Sequence, residues 1–271
     1  MEVTIDTCLG PLAVWSTGLD TSTSPSTRAL VLWPSIFTDH HIYAGLLDRL
    51  SSSVPIVLID GPGHGRSPGF QTEFSMQDCA RAMLKVLDHL SLSKAYIGGT
   101  SWGGIVGAHA AALAPKRAHG VVLMNTPLFL DQRKPSLGSR AISMGARWML
   151  SSGVFRNGVA KNFFSPATLK ARGDYLVRFH QMLRDAEPIT LAAAVRSVLL
   201  RSTPLADLLP QLAVPSLFIA GRDDVMYPVV DLERVAGSMK KAKVAVVPGK
   251  HISSVDAPDE VAKELRAWLA V

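Results

Sequence analysis

The stretch "YIGGTSWGGIVGAHAAALAP" (residues 96–115) places a serine among glycines, at the point where an apolar run gives way to a helical pattern. From Gly99 to Gly103 it reads G-x-S-x-G around Ser101. Where a strand turns into a helix at such a serine, the backbone is strained, and glycines two residues away avoid a collision across the turn. The hydroxyl is then exposed beside a helix N-terminus, whose N–H groups can stabilise an oxyanion. Ser101 is therefore a candidate nucleophile, although a glycine-rich turn with a capping serine would give the same pattern.

Short apolar runs on both sides of this stretch predict a mostly parallel sheet. Each run is rich in Val, Ile and Leu and is bounded by Gly, Pro or charged residues, as buried strands are. Amphipathic segments lie between the runs, and this alternation is typical of a sheet covered by helices on both faces. Residues 3–15, with a Leu-Gly-Pro turn, predict an antiparallel hairpin in front of the sheet. The runs are "ALVLW" (29–33), "PIVLID" (55–60), "AYIGG" (95–99), "GVVLMN" (120–125), "SLFIAG" (216–221) and "KVAVVPG" (243–249).

The alternation stops between Pro127 and about Pro210. Here Leu, Phe and Met recur at helical spacing and no strand-like run occurs, which predicts a helical insertion between two strands of the sheet. We therefore expect one core made of residues 1–127 and 211–271, and a helical cap or lid made of residues 128–210. The polar residues 16–29 predict a loop.

Composition excludes several classes of protein. The chain has 271 residues, of which 48% are hydrophobic and 18% charged, enough to bury one large core. The two cysteines, Cys8 and Cys79, cannot form a disulfide framework and lack metal-site spacing, so we expect no metal and a reducing compartment. The N-terminus does not resemble a secretion signal, and no apolar run approaches the roughly 20 residues of a membrane helix. These features predict a soluble, cytoplasmic protein without a membrane partner.

The net charge of +6 comes from one segment. Between Asp131 and Arg201 there are twelve Lys or Arg and four Asp or Glu, so the rest of the chain is slightly acidic. The basic residues are scattered and form no block, which argues against nucleic-acid binding. Set over a pocket, an excess of eight positive charges would draw anionic substrates. The alternative is that these residues are ordinary solvated faces of helices.

A nucleophilic serine needs a base and a carboxylate that orients the base. In a fold of this type both should follow later in the chain, the carboxylate first, each just after a strand. Asp223 and Asp224 follow the run "SLFIAG", and His251 follows "KVAVVPG" directly ahead of the last helical segment. The expected order is met, and the spacing alone does not choose between the two aspartates.

With these residues the chain resembles the α/β-hydrolase fold family: a mostly parallel eight-stranded sheet flanked by helices, with a helical cap. The frame Gly221-x-x-Asp224-x-x-x-Pro228 is similar to the acid loop of that family, which favours Asp224 over Asp223. "DGPGHGRS" (60–67) resembles the family's Asp-x-x-Gly-x-Gly-x-Ser loop, whose role is structural. The residues that match this loop are Asp60, Gly63, Gly65 and Ser67.

Within the family the chain is most similar to 3-oxoadipate enol-lactonases. Their oxyanion loop resembles "PSIFTDHHIY" (34–43), with Ser35, Thr38 and Asp39 matching, and their His-Ile-Ser sequence matches residues 251–253. Two residues depart from the pattern: Phe37 stands where glycine is usual, and Trp102 where methionine is common. Phe37 and Trp102 would shape the acyl pocket, so the identity of the substrate stays open. Phe37 and Ile252 are expected pocket residues.

The resemblance implies an oxyanion hole made by the backbone N–H groups of Ile36 and Trp102. Trp102 could instead be a helix-start residue packed on the sheet. His40 and His41, just past the oxyanion loop, are expected on a helix surface rather than on the substrate, and His64 belongs to the structural loop. The remaining histidines lack a partner at motif spacing and are expected to have surface or packing roles: His89, His109, His119 and His180.

Together these features predict a serine hydrolase with a catalytic triad of Ser101, Asp224 and His251, needing no cofactor. Its expected partner is a small-molecule ester or lactone. Three alternatives on the same fold are C–C bond hydrolysis, acyl transfer and perhydrolysis, because they share the tetrahedral chemistry and differ in pocket and water access. A small-molecule receptor is an alternative of another class. The sequence does not indicate an oligomeric state.

Overall fold

The computed structural model describes residues 1–19, 27–171 and 173–269. Residues 20–26, within the predicted polar loop 16–29, lie outside the described residues. The strands are β1 (Glu2–Thr7), β2 (Gly10–Thr17), β3 (Ala29–Trp33), β4 (Ile56–Ile59), β5 (Ala95–Thr100), β6 (Ala118–Met124), β7 (Ser216–Gly221) and β8 (Ala242–Val247).

These strands form one eight-stranded sheet in the order β1-β2-β4-β3-β5-β6-β7-β8. β1 and β2 form the predicted antiparallel hairpin, and β2 also pairs antiparallel with β4. The five other pairings are parallel. Every residue of the central strands β3, β4 and β5 is buried, because helices cover both faces of the sheet. The predicted mostly parallel α/β fold is confirmed.

The helices that flank the sheet begin where the sequence offers a start signal. Ser75 caps α2 through the N–H of Asp78, whose carboxylate in turn accepts from the N–H of Ser75. Pro258 opens α12, with two acids in the first turn, as the dipole of a helix favours. The flanking helices are α1 (Ala44–Leu50), α2 (Met76–His89), α3 (Trp102–Leu113), α10 (Val229–Gly237), α11 (Ser253–Asp256) and α12 (Pro258–Leu269).

Between β6 and β7 the described residues form helices and loops only, as the loss of strand-like runs predicted. We call residues 128–210 the helical insertion; its behaviour as a separate lid stays a prediction. Of the helices in this segment, α8 carries the largest number of buried apolar residues. The helices are α4 (Leu137–Trp148), α5 (Gly153–Phe163), α6 (Pro166–Ala171), α7 (Asp174–Asp185), α8 (Pro188–Arg201) and α9 (Leu205–Leu208).

A membrane-spanning length is not reached by any single apolar helix among the described residues. Two consecutive helical segments, Pro188–Arg201 and Leu205–Gln211, are together long and apolar enough to span a membrane, by length and composition only. They are bent by 56° relative to each other.

Candidate active site

Ser101 lies at the sharp turn between β5 and α3, with φ of 56° and ψ of −106°. A positive φ is uncommon for a residue with a side chain, so this backbone is strained as the motif predicted. The flanking glycines are sterically required. A Cβ atom at Gly99 would lie 1.9 Å from the carbonyl oxygen of Trp33, and one at Gly103 would lie 1.8 Å from the same oxygen. The G-x-S-x-G spacing thus reflects how closely the turn approaches β3.

Tyr43 braces this turn from a position that the sequence did not single out. Its hydroxyl donates to the carbonyl oxygen of Trp33 at 2.8 Å and accepts from the N–H of Thr100 at 2.8 Å. It therefore joins the end of β3 to the residue that precedes Ser101. Complete burial raises the pKa of Tyr43 well above its usual value, so the phenol stays neutral.

Asp224 and His251 form a buried pair. Nδ1 of His251 lies 2.9 Å from Oδ2 of Asp224, and both side chains are at most 2% exposed. Oδ1 of Asp224 accepts from the N–H groups of Met226 at 2.9 Å and Tyr227 at 3.3 Å. Burial by itself would raise the pKa of Asp224, but the hydrogen bonds from His251, from the amide of Asn125 and from the N–H of Met226 lower it below its usual value. The carboxylate is therefore charged at neutral pH.

The two other carboxylates near His251 do not contact its ring. Asp223 is exposed, and its N–H donates to the carbonyl oxygen of Gly249. Asp256 accepts from the hydroxyl of Thr168 at 2.6 Å and from the N–H groups of Ser165 and Lys250, so it joins the histidine loop to the helical insertion. Of the three, only Asp224 is placed to orient the imidazole.

Asn125 belongs to the same hydrogen-bond network, and sequence reasoning missed it. It follows β6 with φ of 47°, a conformation that asparagine tolerates better than most residues. Its Nδ2 donates to Oδ2 of Asp224 at 3.1 Å, and its Oδ1 accepts from the hydroxyl of Ser253 at 2.7 Å. The available signal was a polar residue ending the buried run "GVVLMN", because the carboxyl ends of parallel strands are where sites form.

The expected oxyanion donors lie on either side of Ser101. Trp102 is the first residue of α3, where N–H groups have no acceptor inside the helix. Ile36 follows β3, and no acceptor for its N–H is found among the residues described. Phe37, the next residue, has φ of 61°, which explains why glycine is usual there.

His64 holds this loop in place. The N–H of Phe37 donates to Nε2 of His64 at 3.0 Å, so Nε2 carries no proton, and Nδ1 donates to the carbonyl oxygen of Pro62 at 3.1 Å. Burial lowers the pKa of His64 to about 4, which keeps the ring neutral. The loop 60–67 is thus tied to the loop that carries Ile36.

Asp60 organises the loop 60–67 itself. Its carboxylate accepts from the N–H groups of His40 at 2.8 Å and Arg66 at 2.9 Å. A Cβ atom at Gly65 would lie 1.9 Å from Oδ2 of Asp60. Ser67 donates to the carbonyl oxygen of Asp60 at 2.8 Å. These contacts are those of the structural loop that the motif implied.

A cavity of about 370 Å³ connects the serine and the histidine. Its described lining contains no Lys, Arg, Asp or Glu, and its polar members are Ser101, Asn162, Tyr227 and His251. The expected pocket residue Phe37 lines it. The full lining is Ile36, Phe37, Ser101, Ala141, Ile142, Met149, Val154, Phe155, Gly158, Val159, Asn162, Phe163, Leu199, Met226, Tyr227 and His251.

Two expected neighbours of the acyl group lie away from this cavity. Ile252 is fully buried outside the lining, and its N–H donates to the carbonyl oxygen of Phe163 at 3.0 Å. The indole of Trp102 is also fully buried, 5.3 Å from the Trp33 ring and 5.4 Å from the His64 ring. The side chain of Trp102 is therefore packed in the core at the start of a helix, as the alternative interpretation had it. Its backbone N–H remains beside Ser101.

None of the other histidines lines the cavity, and His40 is largely buried rather than on a helix surface. His40 stacks on Trp15 and contacts Asp60, and His41 accepts from Arg178 at 3.3 Å. Asp39, His40 and His41 offer ligand atoms within 4.8 Å of one another, but each is engaged in the contacts just described or, for Asp39, in capping the helical turn His40–Tyr43. Of the remaining four, His89 is exposed on α2 and His109 is buried in α3. His119 on β6 and His180 on α7 are partly buried.

A model of the alpha/beta hydrolase fold family matches residues 28–258. The chain belongs to the α/β-hydrolase fold family. Among curated members, it is 27% identical over 247 residues to the pimeloyl-[acyl-carrier protein] methyl ester esterase of Xanthomonas axonopodis pv. citri, covering 89% of this chain and 95% of the relative. It is 24% identical over 232 residues to 3-oxoadipate enol-lactonase 1 of Acinetobacter baylyi, covering 86% and 85%.

A solved hydrolase structure is similar to this chain along its whole length. A hydrolase from Pseudomonas aeruginosa PA01 matches with a TM-score of 0.87 and 27% identity, covering 100% of this chain and 98% of that one. The predicted membership of the α/β-hydrolase family and the likeness to enol-lactonases are confirmed. The protein is accordingly a hydrolase.

Proposed function

We propose that this α/β hydrolase cleaves a carboxylic ester or lactone of a small molecule through an acyl-serine at Ser101. The observation that carries the proposal is the placement of Ser101 and His251 on one cavity, with Asp224 2.9 Å from Nδ1 of the histidine. This arrangement supports a nucleophile, a base and an orienting carboxylate in the expected chain order.

In the first step, Oγ of Ser101 attacks the carbonyl carbon while Nε2 of His251 takes the hydroxyl proton. Asp224 accepts from Nδ1 and fixes the tautomer in which Nε2 is free to act as the base. Collapse of the tetrahedral intermediate breaks the bond to the leaving oxygen, which receives the proton from Nε2. The acyl group stays on Ser101; in a lactone the leaving alcohol remains part of it.

The negative charge on the tetrahedral oxygen needs donors that are already in position. The N–H groups of Ile36 and Trp102 serve this role, each worth about 3 kcal/mol in typical acyl-transfer enzymes. His64 is a positioning residue for this step. It accepts from the N–H of Phe37 and so fixes the neighbouring Ile36.

In the second step, water takes the place of the alcohol. His251 removes a proton from the water as its oxygen attacks the acyl carbon, and the proton passes to Oγ of Ser101 as the acyl–oxygen bond breaks. The acid is released and the serine is restored. The same two oxyanion donors act in both steps.

The cavity favours a neutral, apolar acyl group. Its described lining is largely Ile, Phe, Met, Val and Leu, and none of the described cations of the helical insertion contributes to it. Arg196 and Arg201 pair instead with Glu73, and Arg133 pairs with Asp131. A buried carboxylate of the substrate would therefore lack a countercharge, which costs several kcal/mol. We propose uncharged substrates over the anionic ones that the basic segment first suggested.

A panel of p-nitrophenyl esters of graded chain length, together with neutral lactones, tests this proposal. We expect hydrolysis with kcat/KM rising from acetyl to medium-length acyl chains, because longer chains fill more of the 370 Å³ cavity. Including methanol or hydrogen peroxide would reveal transfer of the acyl group as methyl ester or peracid. No turnover of any ester or lactone by correctly folded protein would contradict the proposal.

A further inference from the structure

Helix α4 of the helical insertion exposes large apolar residues to solvent, the reverse of what is usual for a helix on a protein surface. Its buried residues are small: Ser143, Gly145 and Ala146. In contrast, Leu137 is 85% exposed, Met144 65% and Trp148 71%. We call the face formed by Leu137, Arg140, Met144, Arg147 and Trp148 the outer face of α4.

Leu137, Arg140, Met144 and Arg147 follow one another at intervals of three and four, and Trp148 is four residues after Met144, so all five lie on one side of the helix. Several large exposed apolar residues on one face mark a surface that binds something. Single exposed apolar residues elsewhere need no such explanation.

The charge of this region is of one sign. From Gln132 to Gly173 the sequence has eight Lys or Arg and no Asp or Glu. Arg140 is exposed, and the guanidinium of Arg147 stacks on the Trp148 ring at 4.3 Å. Glu187, at the start of the neighbouring helix α8, lies close enough to Arg147 to interact with it electrostatically. An occupant of the outer face therefore has to combine negative charge with apolar surface.

The outer face lies next to the opening of the active-site cavity. Ala141 and Met149 line that cavity, and Ala141 is flanked on α4 by Arg140. Val154, at the start of α5, also lines the cavity while being 78% exposed. Residues that both line a cavity and face solvent mark its mouth. An apolar path therefore leads from the outer face of α4 to Ser101.

We propose that the outer face of α4 docks on the surface of an anionic lipid bilayer. Leu137 and Met144 would enter the boundary between headgroups and acyl chains, Trp148 would lie at headgroup level, and Arg140 and Arg147 would contact lipid phosphates. An interfacial helix needs no membrane-spanning segment, so this docking is compatible with a chain that has no long apolar run, although it departs from the expected lack of a membrane partner. An acidic protein is a less suitable partner, because the outer face offers long flexible apolar side chains rather than a shaped groove.

A second part of the proposal rests on the proposed function. Docking in this orientation would bring the mouth of the cavity to the membrane, so that an apolar ester dissolved in lipid could reach Ser101 without crossing water. Binding to the bilayer is independent of catalysis and can therefore be tested apart from it.

The test measures sedimentation of the Ser101→Ala protein with phosphatidylcholine vesicles that contain or lack about 30% of the anionic lipid phosphatidylglycerol. We expect binding to the anionic vesicles that weakens with salt. Met144→Gln combined with Trp148→Gln should lower the partition coefficient by about tenfold or more, and Arg140→Gln by about fivefold. Leu113→Gln and Lys240→Gln, which change an exposed apolar residue and an exposed cation elsewhere, should have little effect.

Equal loss in the matched controls, or no binding to anionic vesicles, would overturn the proposal. So would a dimer in solution that the Met144→Gln and Trp148→Gln changes dissociate, since the outer face would then be covered by a second copy. Capture of an acidic acyl carrier protein in place of vesicles would also overturn it. The same surface variants are also made with Ser101 intact. Their activity on a water-soluble ester tests the proposed function independently of vesicle binding.

Discussion

Nδ2 of Asn125 lies 3.1 Å from Oδ2 of Asp224, the same oxygen that lies 2.9 Å from Nδ1 of His251. The asparagine is held in turn by Ser253, and it also donates to the carbonyl oxygen of Lys250. It thus fixes the carboxylate and the histidine loop relative to each other. Asn125 is a positioning residue, because it acts on the imidazole only through Asp224.

Asn125→Gly removes this contact and keeps a residue suited to the positive φ. We expect kcat to fall by about tenfold with KM nearly unchanged, because the loss of a charge-assisted hydrogen bond affects the orientation of the base rather than the cavity. Steady-state kinetics on a soluble ester measures both constants. If KM rose while kcat held, Asn125 would act on the pocket and not on Asp224.

The neighbouring aspartates give a matched pair. Asp224→Asn should lower kcat by about 10³-fold or more, because His251 can then adopt the wrong tautomer. Asp223→Asn, at an exposed carboxylate beside it, should change kcat by less than about threefold. Reversed severities would move the acid to Asp223, and two mild effects would place it elsewhere.

His64 predicts a pH dependence of stability. Its pKa in the folded protein is about 4 and its ordinary value is 6.5. Above pH 6.5 the ring is neutral in both states; as the pH falls toward 4, only the unfolded state takes up the proton, so the folded state loses stability. This loss amounts to about 3 kcal/mol over that interval.

Denaturant unfolding of the wild type and of His64→Gln at pH 7 and at pH 4.5 isolates this contribution. We expect the free energy of unfolding to fall less for the variant between the two pH values, because glutamine does not titrate in this range. Parallel pH curves for the two proteins would show that His64 does not have the lowered pKa.

The charge of the helical insertion gives a prediction about substrate choice. Because no cation is found in the described lining of the cavity, a neutral ester should have a higher kcat/KM than an equally large ester bearing a carboxylate. This preference should persist at low ionic strength. A carboxylate-bearing ester that is preferred below about 0.1 M salt, and loses its advantage above it, would instead indicate electrostatic steering by the basic segment.

Local sequence patterns were sufficient for much of the fold. Continuous apolar runs predicted the parallel strands, because a strand buried on both faces leaves no room for polar residues. The elbow at Ser101 could also be predicted, because its serine and glycines stand at a fixed local spacing, although the contact that requires the glycines is with Trp33 of β3. The order of Asp224 and His251 followed from the order of the strands.

Contacts between distant segments could not be predicted in the same way. Asn125 and Asp224 are 99 residues apart, and Tyr43 and Thr100 are 57 apart, so no local spacing connects them. The bond from Phe37 to His64 likewise depends on how two loops meet. Ile252 was expected in the pocket because it is next to His251, which lines the cavity. The side chain of Ile252 lies instead in the core.

The most direct test of the proposed chemistry is mass spectrometry of the protein after reaction with a serine-directed alkyl phosphonate, read beside the activity of Ser101→Ala. We predict one covalent adduct, on the peptide that contains Ser101, and its absence in the variant. The variant should remain folded and lose about 10³-fold or more in kcat. An adduct on another serine, together with near-full activity of Ser101→Ala, would contradict the account.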